Sequence, residues 1–351
     1  MDLYFTSFYS IHCNLSSFSW FDSWHFPSTV SHALSAILIP LNFYGGYCIL
    51  YKSSEKLNKA KWAMLNLHFW TSFLDFLIST LLTPYVFLPL FCGYSVGILN
   101  LLGVPVLAQL FMIQVSLASV GASLIILFEN RHNAIVQDRF KITGTPWRIS
   151  FYTFNFGIGV VFLLPIYFFI PEQEPAKLKM LQLIPCPTPE FFNPEVFVLS
   201  DMSNSELIGR LVHIHFAIQT LQGFFFVPRT VYYLIVKNPS LSEHTRKLQR
   251  KVFKCIIIQI SVPMAVLVGP MIYIWISVYL LYYNQALTNT LTISLSLHGM
   301  CSTLVILVIY EPYRTFTKQW IMRLFGYKSP TVEAMEAQQK SIISINAVSV
   351  I

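Results

Sequence analysis

The stretch "LHGMCSTLVILVIYEPYRTF", Leu297 to Phe316, decides how this chain is read. It opens on small and polar residues, continues as unbroken aliphatics from Leu304 to Ile309, and stops at Glu-Pro-Tyr-Arg before turning basic. An apolar run closed by a proline, an interfacial tyrosine and an arginine has the form of a helix leaving a bilayer. Six comparable runs precede it, near Pro27–Tyr51, Trp62–Leu90, Val96–Phe128, Ile149–Ile170, Leu207–Val236 and Val252–Leu281, and the run itself begins near Thr288 and ends at Tyr310. Each supplies the roughly 20 apolar residues that a bilayer core demands. Pro40, Pro84, Pro105, Pro165, Pro228, Pro263 and Pro270 fall within these runs and are expected to kink rather than end them.

Composition leads to the same place. Of 351 residues, 55% are hydrophobic and only 11% charged, against about 25% charged in a soluble domain, so the polar surface is too small to face water all round. The expected fold is an all-α membrane protein, a seven-transmembrane helix bundle. Residues 1–26 form a leading segment, 27–326 the bundle with one further helix, and 327–351 a tail read as disordered. The leading segment has no Lys or Arg and no clean apolar core of a cleavable signal, so the first span is expected to direct insertion.

Orientation follows from the cations. Lys52, Lys56, Lys59 and Lys61 fall in the first loop, Arg131, Arg139, Lys141 and Arg148 around the third, and Arg229, Lys237, Arg246, Lys247, Arg250, Lys251 and Lys254 around the fifth. Arg314, Lys318, Arg323, Lys328 and Lys340 follow the last span. The opposite face holds only Lys177, Lys179 and Arg210 of the chain's 23 Lys and Arg. The positive-inside rule then puts the N-terminus outside and the C-terminus in the cytosol. The net charge of +7 is accordingly a collar facing anionic lipid or an acidic partner surface, and it does not point to nucleic acid.

Cys92 and Cys186 both fall on the outer side, where disulfides persist, and a bridge between them would pin the long Pro171–Glu206 loop over the bundle mouth. Cys13 lies on the same side and competes for the pairing. Asn14-Leu15-Ser16 is a glycosylation sequon on that side. Asp75 is the one acid well inside a span, and His68 stands two turns earlier on the same face. The two form a candidate polar node, read equally well as a structural pair. Their spacing makes no metal site, and neither does that of His213 and His215. No catalytic motif stands out, so neither an enzyme nor a cofactor is expected. After Arg314, the segment "TFTKQWIMRLFGYK" sets Phe316, Trp320 and Leu324 on one face and Lys318 and Arg323 elsewhere, predicting a short amphipathic helix in the membrane interface.

Four strings, in order, carry a resemblance: "LNLHFWTSFLDFLISTLLTPYVFLPL" (Leu65–Leu90), "FENRH" (Phe128–His132), "KCIIIQISVPMAVLVGPMIY" (Lys254–Tyr273) and "IYEPYR" (Ile309–Arg314). Together they resemble the nematode serpentine chemoreceptors, class H, over most of the chain. The resemblance implies a G-protein-coupled receptor of sensory neurons, in the plasma or ciliary membrane, that binds a small environmental molecule and activates a heterotrimeric G protein. The G-protein-facing surface would comprise Arg131, Arg246, Lys247, Arg250, Lys251, Lys254 and Arg314. Gln109, Phe111, Tyr273 and Trp275, aromatic or polar and toward the outer half, are the candidate ligand pocket. Pairing with a second receptor copy is compatible with this picture. The rhodopsin-like Asp/Glu-Arg-Tyr is replaced here by Glu129-Asn130-Arg131-His132, and Asn-Pro-x-x-Tyr and Cys-Trp-x-Pro are missing, so rhodopsin-like switch mechanics do not transfer residue by residue. Arg131 is expected to pair with Glu129 or with the coupling partner. The alternative is a ligand-gated channel or transporter of seven helices, which calls for a polar stripe along a conduction path; Asp75 alone gives it little support. Ser329, Thr331, Ser341 and Ser344 are available for phosphorylation in the tail.

Overall fold

A computed structural model describes residues 1–54, 57–136, 138–200, 205–236 and 242–325. Lys56, Asp201, Lys237 and the tail, with Lys328, Lys340, Ser329, Thr331, Ser341 and Ser344, lie outside the described residues. Among the described residues, seven helices are long and apolar enough to cross a membrane: His25–Tyr51, Ala60–Leu82, Val106–Ile135, Thr145–Phe168, Gly209–Ile235, Glu243–Leu280 and Gln285–Ile309. They are called helix one to helix seven below. Helices one, two, three and seven form the packed centre. Helices four and five lie against helix three, and helix six lies along helix seven. Large side chains such as Phe154, Phe216, Phe224, Val268 and Tyr279 stay exposed on the outer three, as expected of surfaces solvated by lipid rather than water.

The proline expectations hold only in part. Pro40, Pro228, Pro263 and Pro270 sit inside helices, but Pro84, Pro105 and Pro165 mark ends. Helix two finishes in a π-helical turn, Leu77–Leu82, and Thr83 turns left-handed at φ 44°. The chain then enters β1, Pro84–Phe87, which pairs antiparallel with β2, Cys92–Ser95; β2 in turn pairs with β3, Phe197–Val198. The apolar residues after Thr83 therefore do not extend the span, as their hydropathy suggested, but build a small three-stranded sheet. Helix three likewise starts only at Val106, after Pro105.

This sheet is the floor of a cap. Tyr85, Phe87, Cys92, Tyr94, Phe191 and Val198 are buried in one cluster with Ala176, Met180 and Leu181 of the loop helix Gln173–Leu183. The helical N-terminal run Asp2–His12 closes over it, with Tyr9 Oη donating to Pro187 O at 2.6 Å and its ring against Phe192. The disulfide joins Cys13 to Cys186, with Cα atoms 5.5 Å apart, and so corrects the expected Cys92–Cys186 bridge. The reason is positional. β2 turns Cys92 into the apolar cluster, 3% exposed, where burial pushes its thiol up and keeps it unreactive. The N-terminal run meanwhile lays Cys13 beside Cys186. What the bridge pins is thus the N-terminal segment to the long loop.

At the opposite, basic end a second core joins helices one, two, three, six and seven through Cys48, Ile49, Met64, Leu127, Ile256 and Ile306. Tyr310 is extended (ψ 114°) and ends helix seven, and Pro312 occupies the first turn of the next helix, Glu311–Leu324. Tyr313 is fully buried and hydrogen-bonded to Ser53 at 2.6 Å, so it is core rather than the headgroup anchor expected of it. Phe316 packs on this core while Trp320 and Leu324 stay exposed, as the amphipathic pattern required.

Candidate functional site

A buried polar column follows helix seven from the cap to the basic end. At the cap, Gln285 Nε2 donates to Val86 O of β1 and to Asn289 Oδ1, each at 2.9 Å. Asn289 Nδ2 donates to Phe21 O at 2.9 Å, and Asp22 Oδ1 accepts from the Ala286 amide at 3.2 Å. The first turns of helix seven therefore hold the segment leading into helix one and the edge of the sheet.

Midway, helix seven is interrupted. Gln285–Ser296 and His298–Ile309 are separate helical pieces with Leu297 between them, and Asp75 of helix two sits at the break. Its Oδ1 accepts from the Gly299 amide and lies against His298 Nδ1, both at 3.1 Å. His298 Nδ1 is also 3.0 Å from Leu295 O; between two acceptors, this nitrogen carries the proton. Gly299 is required by the approach: a Cβ there would fall 2.5 Å from Asp75 Oδ2. Oδ2 itself is buried without a partner, as is Ser72 Oγ one turn earlier.

His68 does not touch Asp75 through any hydrogen bond. Its Nε2 donates to Asn42 O of helix one at 2.9 Å, and Asn42 Oδ1 accepts from Thr303 Oγ1 of helix seven at 2.7 Å. A Cβ at Gly45 would lie 2.6 Å from Thr303 Cγ2, so helices one and seven also meet backbone to side chain. The expected node is thus two links, each tying helix two to helix seven. The decisive partner, His298, stood in the sequence as a histidine next to a glycine inside an apolar run, and only the tertiary contact gives it a role.

At the basic end, Tyr310 Oη donates to Gln259 Oε1 of helix six at 2.9 Å and interacts electrostatically with Arg131 of helix three. Arg131 is 1% exposed, with Nε and Nη2 unpaired among the described residues. It is not on the surface, which corrects its placement as a G-protein-facing residue in this arrangement, and it does not pair with Glu129. Glu129 instead binds Arg148 Nη2 at 3.1 Å and accepts from Tyr152 Oη at 3.0 Å. A further link joins the loop after helix three to helix five, where Asp138 meets Arg229 and accepts from Tyr233 Oη at 2.8 Å. Burial alone would raise Asp138, but the Tyr233 hydroxyl, the Phe140 amide and Arg229 outweigh it and hold the carboxyl below its ordinary value. Of the other expected cations, Arg250 Nε caps the end of helix five through Leu234 O at 2.8 Å, Lys251 pairs with Glu311 at 2.9 Å and Lys247 with Glu243 at 2.8 Å. Lys254 and Arg314 are exposed and Arg246 half-buried.

The four expected pocket residues do not share one setting. Gln109 is buried with Nε2 on Val104 O at 2.8 Å, and Phe111 packs edge-on against Tyr167 of helix four. Tyr273 turns to helix seven, donating to Asn284 O at 3.0 Å, whereas Trp275 is 58% exposed beside His213, which places it outside the bundle. A polar face that the sequence reading passed over lies on helix five. His215 Nδ1, Gln219 Nε2 and Gln222 Oε1 are buried without partners among the described residues, and Gln222 Nε2 donates to Asn155 Oδ1 of helix four at 3.0 Å. Their spacing of four and three residues was the available signal. Asn14 is exposed, one residue past the bridge.

Comparison with known proteins completes the picture. Residues 22–323 match the family described as "Serpentine type 7TM GPCR chemoreceptor Srh". The chain is also 33% identical over 287 residues to "Serpentine receptor class H-72" of Caenorhabditis elegans, covering 80% of this chain and 81% of that one.

Proposed function

This chain belongs to the Srh family of serpentine seven-transmembrane chemoreceptors, and from that premise we propose that it binds a small environmental ligand and activates a heterotrimeric G protein. It is a multi-pass membrane protein of a receptor family; the ligand, the coupling and the neuronal plasma or ciliary membrane are this reading's own. The amino end and the cap face outward and the basic end faces the cytosol. The cation distribution supports this orientation, as does a disulfide at the end expected to meet an oxidising compartment. Enzymatic deglycosylation should sharpen the electrophoretic band of the wild type and leave an Asn14→Gln variant unchanged; identical behaviour of the two would remove the assignment of Asn14.

One observation carries the reading: helix seven is hydrogen-bonded to the cap at one end, to helix six at the other, and is broken between them at a buried carboxylate. A discontinuity held by the contacts of one carboxylate with His298 and Gly299 gives the bundle an element with two arrangements. A ligand shifts their populations by its difference in affinity for the two. Its polar groups meet the unpaired atoms of His215, Gln219 and Gln222, reached beneath the cap. The shift then releases Arg131 from its buried position and exposes it beside Arg246, Lys254 and Arg314 to the G protein. The test is a ligand screen with a G-protein readout in cells expressing the full chain. Gln219→Ala is expected to raise the ligand concentration needed for half response about tenfold, the loss of roughly one hydrogen bond. Arg131→Ala is expected to abolish the response while ligand still binds. A ligand-evoked current in cells lacking G proteins would overturn the assignment.

A further inference from the structure

The loop after helix three and the adjoining face of helix four carry features that lie outside the coupling surface proposed above. A cavity of about 520 Å³ lies between Arg139, Phe140 and Lys141 of the loop and Trp147, Phe151 and Phe154 of helix four. That volume is in the range of a small-molecule site. Its rim is cationic. The Arg139 guanidinium lies 4.9 Å from the Phe140 ring centroid, and neither Arg139 nor Lys141 forms an ion pair with a described carboxylate. The two acids nearest in the chain, Glu129 and Asp138, are taken by Arg148 and Arg229. Two positive charges are thus left facing one apolar hollow.

Its floor is aromatic and lies along a spanning helix. Trp147 is 72% and Phe154 53% exposed, although both belong to a segment apolar enough to cross the membrane. Seven residues separate them, about 10 Å along the helix axis at 1.5 Å per residue. The hollow therefore runs from the level of interfacial cations, with Trp147 at the boundary, some way into the hydrocarbon. A free phosphate would satisfy only the rim, and a protein partner would have to displace the bilayer from Phe154.

We propose that this hollow is a binding site for an acidic phospholipid, with the phosphate between Arg139 and Lys141 and an acyl chain along Trp147, Phe151 and Phe154. Two cations at a membrane surface recognise a headgroup by charge, and the aromatic floor selects for a lipid over a soluble anion.

The full chain, purified and exposed to equimolar phosphatidylserine and phosphatidylcholine, is examined by native mass spectrometry. Both lipids are offered without sidedness, so the result does not depend on orientation or on the receptor reading. The wild type is expected to retain several-fold more phosphatidylserine. Arg139→Ala with Lys141→Ala brings the ratio to parity, the charge-conserving Arg139→Lys with Lys141→Arg keeps it, and Phe154→Ala reduces phosphatidylserine retention. Lys318→Ala with Arg323→Ala, on the helix after helix seven, leaves the ratio unchanged. Equal retention by the wild type overturns the proposal, as does a preference that survives the loop double-alanine variant. Displacement of phosphatidylserine by millimolar inorganic phosphate would assign the rim to a free anion. A blunted G-protein response from the loop variant with an unchanged lipid ratio would assign the hollow to a protein partner. Either result overturns the lipid site.

Discussion

The two ends of this molecule are held by different physics. The capped end is a covalent and apolar assembly: a disulfide, a three-stranded sheet, and aromatic rings whose hydroxyls are internally bonded. Burial, with Glu190 adding to it, pushes Tyr9 up to about 12, and burial raises Tyr85, Tyr94 and Tyr283 as well, so none changes charge near neutrality. The basic end has an apolar core of its own around Leu127, Ile256 and Tyr313, but the elements at its rim are joined by ion pairs: Arg148 with Glu129, Arg229 with Asp138, Lys251 with Glu311. Aromatic burial has no substitute once broken, and neither has the pair of the fully buried Glu129, whereas the part-exposed Arg229–Asp138 and exposed Lys251–Glu311 pairs can be exchanged for a partner's charge at little net change in free energy. One end is therefore suited to stay put and the other to rearrange. The break in helix seven lies between them.

The contrast can be broken or sharpened by substitution. The largest effect belongs to the cap. Cys13→Ser opens a bridge that spans 173 residues and should destabilise the fold by about 4–5 kcal/mol, seen as loss of surface expression and of thermal stability. Cys92→Ala should cost only about 1 kcal/mol, and a larger loss from Cys92 than from Cys13 would revive the other pairing. Next is the break itself. His298→Ala leaves the buried Asp75 Oδ1 without its imidazole donor and should lower stability by about 2–3 kcal/mol, measured by the melting temperature in detergent. Gly299→Ala, which forces helices two and seven apart, should cost about 1–3 kcal/mol. The smallest effect lies at the basic end, where Asp138→Asn should cost about 1 kcal/mol. Because the folded Asp138 carboxyl titrates below its ordinary value, its contribution is fully present above the unfolded value of about 4. It is lost as pH falls through the lower folded one. Stability curves of the wild type and Asp138→Asn should thus converge only in acid, and convergence near neutral pH would contradict the link.

What could be read from the sequence was what the solvent dictates. Lipid forces long apolar helices, so the number and order of the seven spans and the amphipathic helix around Phe316 and Trp320 were legible, whereas helix three starts about ten residues later, and helix six about nine earlier, than hydropathy suggested. The end of helix two was not, because the apolar residues of β1 have the same hydropathy as a membrane helix; only the left-handed Thr83 separates them. Disulfide pairing was open because spacing does not fix connectivity. His68 and Asp75 were identifiable as costly buried groups, but not their partners, since Asn42, Thr303 and His298 reach them from helices distant in the chain. Arg131 was counted with the cationic collar for the same reason. Charge says on which side of the membrane an arginine belongs, whereas its burial beside Tyr310 depends on how helices three, six and seven pack.

The claim that helix seven divides a fixed end from a movable one is tested most directly by spin-label distances. One pair at Lys61 and Lys254 reports the basic end and another at Leu101 and Phe168 reports the capped end, each measured in the otherwise native chain and with His298→Ala. The account predicts that the substitution shifts the basic-end distance by about 2 Å or more and leaves the capped-end distance unchanged. A capped end that moves as far, or a basic end that does not move at all, would contradict it.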